Sequence, residues 1–556
     1  VKNKLSWLLF GCSFFLVAFG QPSWLPWLAP IAAFMGFALF WSSLYPFQSK
    51  FLRFALATFW FTAVQLIQLS WMTSIEYQGV YMLFGYFWLA SWLGVQFGLL
   101  TCLLPKEGGI TFGRILGLAS LWTLFEWSRF FFLCGFSWNP SGLALAAFLP
   151  SIQMASLGGV LGLSFWVMLM NGFTLKLIEG LKQDRGVSFK AVGPWLLVVL
   201  FPYLFGVGQL TYQDHLSKTD PGSKNITVAL VQTGLLPPEK LILPSRIHHF
   251  VSPWEQWRRI LAFLKLEDLD LDLIVLPEVA VPFQCDRTIY PYESVVQVLR
   301  ETLGEGVLQN LPPLTAPFAE KKVTAKEEKW MVSNSFWTQA VANYFDAEVV
   351  IGLEDEEKET NRSYNAAFHF VPNGTKINRY EKQVLLPIAE YLPSKVFLPF
   401  MEMYGIRDFF TKGEETKIFK GRVPFAISIC YEETFPDLVR EGKLMGAEVL
   451  VNVTNDNWYP NSKLPQQHFD LGRLRAVENG IPLLRACNTG ISAVIDNVGR
   501  PLCMMGELDE KNSCLAGALV SSVSLRKHST LYTLWGDGGI VGLSLILLGV
   551  FWRKRS

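Results

Sequence analysis

A lone thiol stands at Cys430 in the stretch Pro424-Phe425-Ala426-Ile427-Ser428-Ile429-Cys430-Tyr431-Glu432-Glu433-Thr434-Phe435-Pro436, where it closes an apolar run and precedes a helical pattern. A buried strand over Phe425 to Ile429 feeding a helix over about residues 433–445 predicts a sharp turn at Cys430. Main-chain N–H groups at such a helix start favour a thiolate, and the Tyr431 N–H is offered to an oxyanion. A nucleophile belongs there, although a buried structural cysteine satisfies the same pattern. Other residues able to do chemistry sit at the ends of other apolar runs. Glu278 ends Leu271-Asp272-Leu273-Ile274-Val275-Leu276-Pro277 and reads as a cap or as a site carboxylate. Lys382, in Arg379-Tyr380-Glu381-Lys382-Gln383, reads by itself as a solvated charge, whereas Glu390 is held in an apolar loop between Pro387 and Pro393. Glu432 falls in the first turn of the expected helix, where it compensates the dipole. Trp458 and Tyr459 tip the polar loop Asn455–Pro460 as an anchor or a gate, and Cys487 reads as core.

The elements that must position these residues alternate. Ile226 to Gln232 reads as a strand, about residues 254–266 as an amphipathic helix, and Leu271 to Leu276 as a second strand. Ala347 to Gly352, Tyr364 to Phe370 with its Pro372-Asn373-Gly374 turn, and Ala447 to Thr454 read as further strands. Such alternation predicts a layered α/β domain with its site at strand ends. Residues 303–346 carry prolines and charges without a sustained period and are expected to form an insertion or flap.

The rest of the chain has a different character. Of 556 residues, 51% are hydrophobic and only 17% charged, too apolar for an ordinary soluble enzyme. The excess lies in residues 5–210 and 533–552. Spans are expected at 5–19, 25–45, 51–69, 81–104, 112–128, 157–175, 193–210 and 533–552, each near the ~20 residues that cross ~30 Å of hydrocarbon. Lys2, Lys4, Lys50, Arg53, Lys106, Arg114, Lys176, Lys182, Arg185, Lys190 and Arg553 to Arg555 then fall on one side, the cytoplasmic one. Arg129 is the exception, and it is expected to pair with Glu126 at a helix edge. The first span also resembles a cleavable secretory signal. The aromatic 128–150 loop is expected to lie in the interface. The domains are therefore 1–215, 224–527 and 533–556. A net charge of +1 argues against a nucleic-acid partner. Eight cysteines with no C-x-x-C pair, and histidines in no H-E-x-x-H cluster, argue against zinc. Spacing leaves the pairing of Cys285, Cys487, Cys503 and Cys514 open.

Six motifs in order, Leu276-Pro277-Glu278, Tyr380-Glu381-Lys382, Pro387 to Pro393, Ile429-Cys430-Tyr431-Glu432, Asn452 to Trp458 and Arg485 to Ala493, resemble those of the apolipoprotein N-acyltransferase family, and the resemblance covers essentially the whole chain. It implies a membrane helical bundle of about eight spans joined to a nitrilase-like αββα sandwich. It implies Cys430 as nucleophile, Glu278 as general base, and Lys382 with the Tyr431 N–H facing the oxyanion. Glu390 and Glu432 match acidic positions that the family needs, and Trp458 is expected to admit or retain lipid. The implied reaction moves an acyl chain from a phospholipid, phosphatidylethanolamine by resemblance, to the amino group of a lipoprotein's diacylglyceryl-cysteine. No cofactor or metal is implied. A monomer in the bacterial inner membrane, with the catalytic domain facing the periplasm, is expected. The chain departs from the family pattern in its longer 303–346 region and in lacking a Trp near Pro237-Pro238-Glu239-Lys240, so Trp254 and Trp257 receive no substrate role. A membrane-tethered amidase and a transporter with an accessory domain are the alternatives.

Overall fold

The computed structural model describes residues 2–105, 109–182, 189–219, 224–240, 244–265, 270–323, 328–387, 389–392, 409–506 and 514–553. Lys106, Arg185, Pro393, Lys554 and Arg555 lie outside them. Contacts divide the chain into two compact units, Val1–Pro221 with Asn461–Gly480 and His528–Ser556, and Gly222–Pro460 with Ile481–Lys527.

The first unit is helical: α1 (Lys2–Phe19), α2 (Pro26–Ser43), α3 (Lys50–Gln68), α4 (Met82–Thr101), α5 (Phe112–Ser128), α6 (Ala155–Lys182) and α7 (Phe189–Thr219). A π-type segment, Ala32–Gly36, interrupts α2, and the buried Asn171 of α6 donates to Ala33 O at 2.8 Å and accepts from Ala38 N at 3.0 Å. A side-chain amide thus satisfies main-chain groups where the regular ladder is broken, as helix breaks in an apolar setting require. Within the 128–150 loop, Phe131, Phe132, Leu133 and Phe148 are exposed, as an interface segment requires, while residues 135–146 between them are buried. Glu126 and Arg129 do not pair with each other at an exposed edge. Both are buried, with Arg129 Nε donating to Gln96 Oε1 at 2.8 Å and Glu126 Oε1 accepting from Ser141 N at 2.8 Å. The buried middle of the loop supplies the partner of Glu126, and α4 that of Arg129.

The second unit alternates strands and helices. It contains β1 (Asn225–Gln232), α8 (Pro253–Lys265), β2 (Leu273–Leu276), β3 (Tyr290–Pro291), α9 (Tyr292–Leu303), β4 (Ala319–Val323), β5 (Glu328–Val332), α10 (Asn334–Phe345), β6 (Glu348–Glu357), β7 (Arg362–Phe370) and β8 (Asn378–Glu381). It continues through β9 (Ile418–Lys420), β10 (Pro424–Ile429), α11 (Pro436–Leu444), β11 (Val449–Thr454), β12 (Leu483–Cys487), β13 (Ser492–Ile495), β14 (Pro501–Met505) and β15 (Gly517–Ser524). Among the described residues, two six-stranded sheets run β15-β1-β2-β6-β7-β8 and β14-β13-β12-β11-β10-β9, each with a parallel centre.

Alternation along the strands splits the core in two, because successive side chains point to opposite faces. Val228, Leu230, Val275 and Val350 meet Phe425, Ile427, Ile429, Val451 and Val453 in one cluster between the sheets. Ala229, Val231, Ile274, Leu276, Val349 and Ile351 face α8 and α10, whose Trp257 and Trp337 rings stack at 5.5 Å. On the outer face of the second sheet α11 approaches β10 so closely that a Cβ at Gly442 would stand 2.5 Å from the Ala426 Cβ. The layers are helix, sheet, sheet, helix. The region 303–346, expected as an insertion or flap, has regular structure in its described residues. Its described residues form a β4–β5 hairpin on β3 and the helix α10. Asn334 to Asn343 are buried on every side, and the polar stripe of α10 is satisfied inside the protein, Ser335 donating to Cys285 O at 2.8 Å, Gln339 to Asn343 Oδ1 at 2.7 Å and Asn343 to Asn310 O at 2.7 Å.

Between β11 and β12 the chain forms α12 (Leu464–Asn479), which packs in the first unit, and α13 (Leu531–Arg553) follows β15 into the same unit. Gln467 of α12 accepts from Trp71 Nε1 at 3.1 Å and donates to Gln68 O at 2.8 Å. Glu478 accepts from Val160 N at 2.8 Å, at a break in α6 where Gly159 has φ 65° and a Cβ would meet the Tyr532 ring at 2.5 Å. The eight expected spans all fall on helices. Among the described residues, six helices are long and apolar enough to cross a membrane by length and composition, and α1 and α5 are the short ones.

Candidate active site

Glu278, Lys382 and Cys430 follow closely on the carboxyl ends of β2, β8 and β10, where layered α/β proteins gather their chemistry. Cys430 has φ 54°, a left-handed conformation that costs a non-glycine residue roughly 1–2 kcal/mol and is kept only when surrounding structure enforces it. The sharp turn expected at the thiol is present. The helix after it begins later than expected. Residues Cys430–Thr434 form a 3₁₀ turn, and α11 starts at Pro436, because a proline pushes the preceding Phe435 into extended geometry (φ −94°, ψ 108°). Cys430 therefore gains no α-helix N-terminus to hold a thiolate. Burial pushes its thiol up, the Glu278 charge pushes it further, and Lys382 only partly offsets them. Resting Cys430 is a thiol in need of a base.

Lys382 is buried, and its ammonium reaches Glu390 Oε1 at 2.8 Å and Glu278 Oε1 at 3.4 Å. Burial alone would discharge it. Glu390, Glu278 and the Cys430 site outweigh that and hold Lys382 well above the ordinary lysine range. Asn365, on β7, completes the pocket by donating Nδ2 to Glu278 Oε1 at 2.7 Å and to Glu390 Oε1 at 2.9 Å. Its main-chain carbonyl also accepts from Lys382 N at 2.9 Å. Glu390 is fixed through its second oxygen, which accepts from Leu386 N at 2.9 Å. The Glu278 turn presses on β6 at Gly352, where a Cβ would lie 2.6 Å from the Glu278 Cα. That approach is open only to glycine.

Glu432, two residues from the thiol, does not compensate an α-helix dipole. Its Oε2 accepts from Ile429 N at 2.7 Å and from the Tyr380 hydroxyl at 3.0 Å, while Oε1 accepts from Gln383 N and, at 3.1 Å, Val384 N. One buried carboxyl thus ties the Lys382 loop to the Cys430 turn. Burial pushes it up to about 7, against the pull of those N–H groups and of Lys382. Tyr431 is buried with its ring edge-on to Phe435 at 4.9 Å. Beneath the turn, Arg485 donates to Glu433 at 2.7 Å and to Asp456 at 3.1 Å, a fully buried triad. Trp458 is half-buried in the turn after β11, and among the described residues no hydrogen bond or ring contact joins it to the others. Cys487 is core, with its thiol donating to Thr489 O at 2.6 Å, and none of the eight cysteines is in a disulfide.

The sequence reading left three polar residues without a role. Asn365 is, with His369, one of two polar side chains in the buried run Tyr364–Phe370, a polar interruption that was the available signal. Lys240 and Asn488, both buried, donate to the main-chain carbonyl of Glu278 at 3.1 and 2.5 Å. Nothing local distinguishes Lys240 from a surface lysine, since its partners lie 38 and 248 residues away. Trp257 donates to Asn334 Oδ1 at 3.1 Å within the core, consistent with leaving it out of the site.

The chain matches the carbon-nitrogen hydrolase family over residues 227–523 and the apolipoprotein N-acyltransferase N-terminal domain over residues 14–173. It is 32% identical to an apolipoprotein N-acyltransferase of Chlamydia caviae, covering 98% of this chain and 96% of that one. It is 31% identical to one of Chlamydia pneumoniae, covering 95% and 93%, and 30% identical to one of Chlamydia muridarum, covering 99% and 98%. With the thiol turn, the buried lysine between two carboxylates and the apolar helices in one chain, this protein belongs to the apolipoprotein N-acyltransferase family.

Proposed function

We propose that this chain transfers an acyl group from a phospholipid to the N-terminal amine of a diacylglyceryl-cysteine lipoprotein, through a thioester on Cys430. The observation that carries the mechanism is the Lys382 ammonium held between Glu278 and Glu390 beside a thiol on a strained turn. In the first half, Glu278 takes the Cys430 proton as the sulfur attacks the ester carbonyl. Lys382 and the Tyr431 N–H face the resulting oxyanion. The carbon–oxygen bond then breaks, Glu278 returns its proton to the departing alkoxide, and a lysophospholipid leaves. In the second half, the lipoprotein amine attacks the thioester, gives its proton to Glu278, and the carbon–sulfur bond breaks. The proton passes back to the sulfur. The products are one amide and one lysophospholipid, and the enzyme is restored.

Acyl transfer is favoured over hydrolysis because the chain's similarity to proteins of that name extends through its membrane helices. Phosphatidylethanolamine as donor, a monomeric state and a bacterial inner membrane location belong to the same proposal. A periplasmic catalytic unit is supported by lysines and arginines that collect on alternate loops. Trp458 is assigned to lipid admission. Incubation with phosphatidylethanolamine alone should add one acyl mass to the Cys430 peptide, removable by hydroxylamine and absent in Cys430→Ala. Lipoprotein acylation that survives Cys430→Ala would overturn the proposal.

A further inference from the structure

We propose that Lys240, acting with Asn488, is a positioning residue that fixes the main chain of Glu278 and so sets where its carboxylate stands. The inference rests on Glu278 being the base, as proposed above. Lys240 ends the helical turn Pro237–Lys240 that follows β1, and its side chain is 2% exposed. Its ammonium donates to Glu278 O at 3.1 Å and to the Asn488 side-chain carbonyl. Asn488 closes the triangle by donating Nδ2 to the same Glu278 O at 2.5 Å. It is itself held, since Thr233 Oγ1 donates to its side chain at 2.8 Å and Gly234 N to its carbonyl at 2.7 Å.

Taking an ammonium out of water costs several kcal/mol, which a protein ordinarily offsets with a carboxylate. Among the described residues no carboxylate lies within ion-pair distance of Lys240, and burial, only partly offset by Glu278 and Cys487, lowers it to about 7. A buried lysine spent on a main-chain carbonyl needs a reason, and the next residue supplies one. Val279 has φ 42°, a conformation that β-branched residues avoid. Such geometry survives only where contacts over-determine it. Two donors on the Glu278 carbonyl, with Gly352 pressed against its Cα, hold the peptide on the side that sends the carboxylate toward Asn365 and Lys382. If the peptide relaxes, the carboxylate moves, and a misplacement of about 1 Å at a reacting group can cost on the order of 10²-fold in rate.

The test uses the full-length protein in phosphatidylethanolamine-containing micelles and follows the rate of acyl addition to Cys430 at saturating phospholipid. Lys240→Met should slow acylation about 10- to 100-fold, leave the half-saturating phospholipid concentration unchanged, and add nothing to the loss caused by Glu278→Ala. Asn488→Asp keeps the volume and gives Lys240 a counter-charge, but turns the donor on Glu278 O into an acceptor, and it should be slow as well. It decides the matter alone if Lys240→Met does not fold. Wild-type rates in the available variants beside a slow Glu278→Ala would overturn the inference alone, as would a further loss in the Glu278→Ala background. A Glu278→Ala as fast as wild type would remove the base assignment and the inference with it.

Discussion

Replacing Lys382 by methionine tests the centre of the site in two separable ways. Glu278 Oε1 and Glu390 Oε1 lie 2.7 and 2.9 Å from the same Asn365 nitrogen, so the two oxygens are no more than about 6 Å apart. At an effective dielectric near 20 the repulsion between two charges at that separation is about 3 kcal/mol, and the wild-type ammonium cancels it. Lys382→Met should therefore destabilise the protein by roughly 3–5 kcal/mol, the usual cost of leaving one half of a buried ion pair uncompensated. It should also slow acylation of Cys430 by about 10²- to 10³-fold through loss of an oxyanion donor. Adding Glu390→Gln removes one of the two like charges. The double variant should recover about 3 kcal/mol, seen in detergent as a rise of roughly 3–5 °C in the unfolding midpoint over Lys382→Met. It should stay as slow as the single variant. No recovery of the midpoint would refute the charge count, and recovery of acylation would refute a direct part for Lys382 at the oxyanion.

The Glu432 carboxyl sits at about 7 in the folded chain against 4.5 ordinarily, so folded protein binds its proton more tightly. The stability it contributes is complete below about 4.5 and declines as pH rises to about 7, by up to about 3 kcal/mol, and Glu432→Gln should flatten that slope in unfolding midpoints taken across the range. Cys430→Ala keeps the positive φ and Cys430→Gly relieves it, so the glycine variant should be the more stable by about 1 kcal/mol, with both inactive; equal midpoints would argue that the turn is unstrained. Trp458→Ala should lower turnover in bilayers while iodoacetamide still labels Cys430 at the wild-type rate, and unchanged turnover would reduce Trp458 to an anchor.

What could be read from the sequence follows from how local each signal is. The strands that deliver Glu278 and Cys430 were legible because buried parallel strands are short, uniform apolar runs, and the residue ending each run is its strand-end group. The membrane helices were legible for the same reason at greater length. Roles that depend on distant partners were not. Glu432 binds groups 3 to 52 residues away, and its place in a first turn suggested dipole compensation when its work is to bracket two loops. Arg129 and Glu126 are three apart, yet each found a partner on another segment. Helix α10 was missed although Asn334, Ser335, Thr338, Gln339 and Asn343 recur at helical spacing; the prolines and charges before it masked a period only 12 residues long. Lys240 was hidden because a buried lysine and a surface lysine are the same letter.

The bonding of the two carboxylates also supports the division of labour proposed for them. Glu390 has both oxygens occupied, Oε1 by Lys382 and Asn365 and Oε2 by Leu386 N. Glu278 shares only Oε1 with the same two side chains, and among the described residues its Oε2 makes no hydrogen bond. A carboxylate offers about four acceptor sites, of which Glu390 has spent three and Glu278 two, both on Oε1, so Glu278 presents a wholly free oxygen to a proton where Glu390 does not. When Glu278 takes the thiol proton its charge disappears, and Glu390 remains as the counter-ion that keeps Lys382 an ammonium. The cation then faces the sulfur or the oxyanion with its charge undiminished, at the moment negative charge appears there. A single carboxylate could not both hold the lysine charged and give up its own charge, which is a physical reason for a site with two.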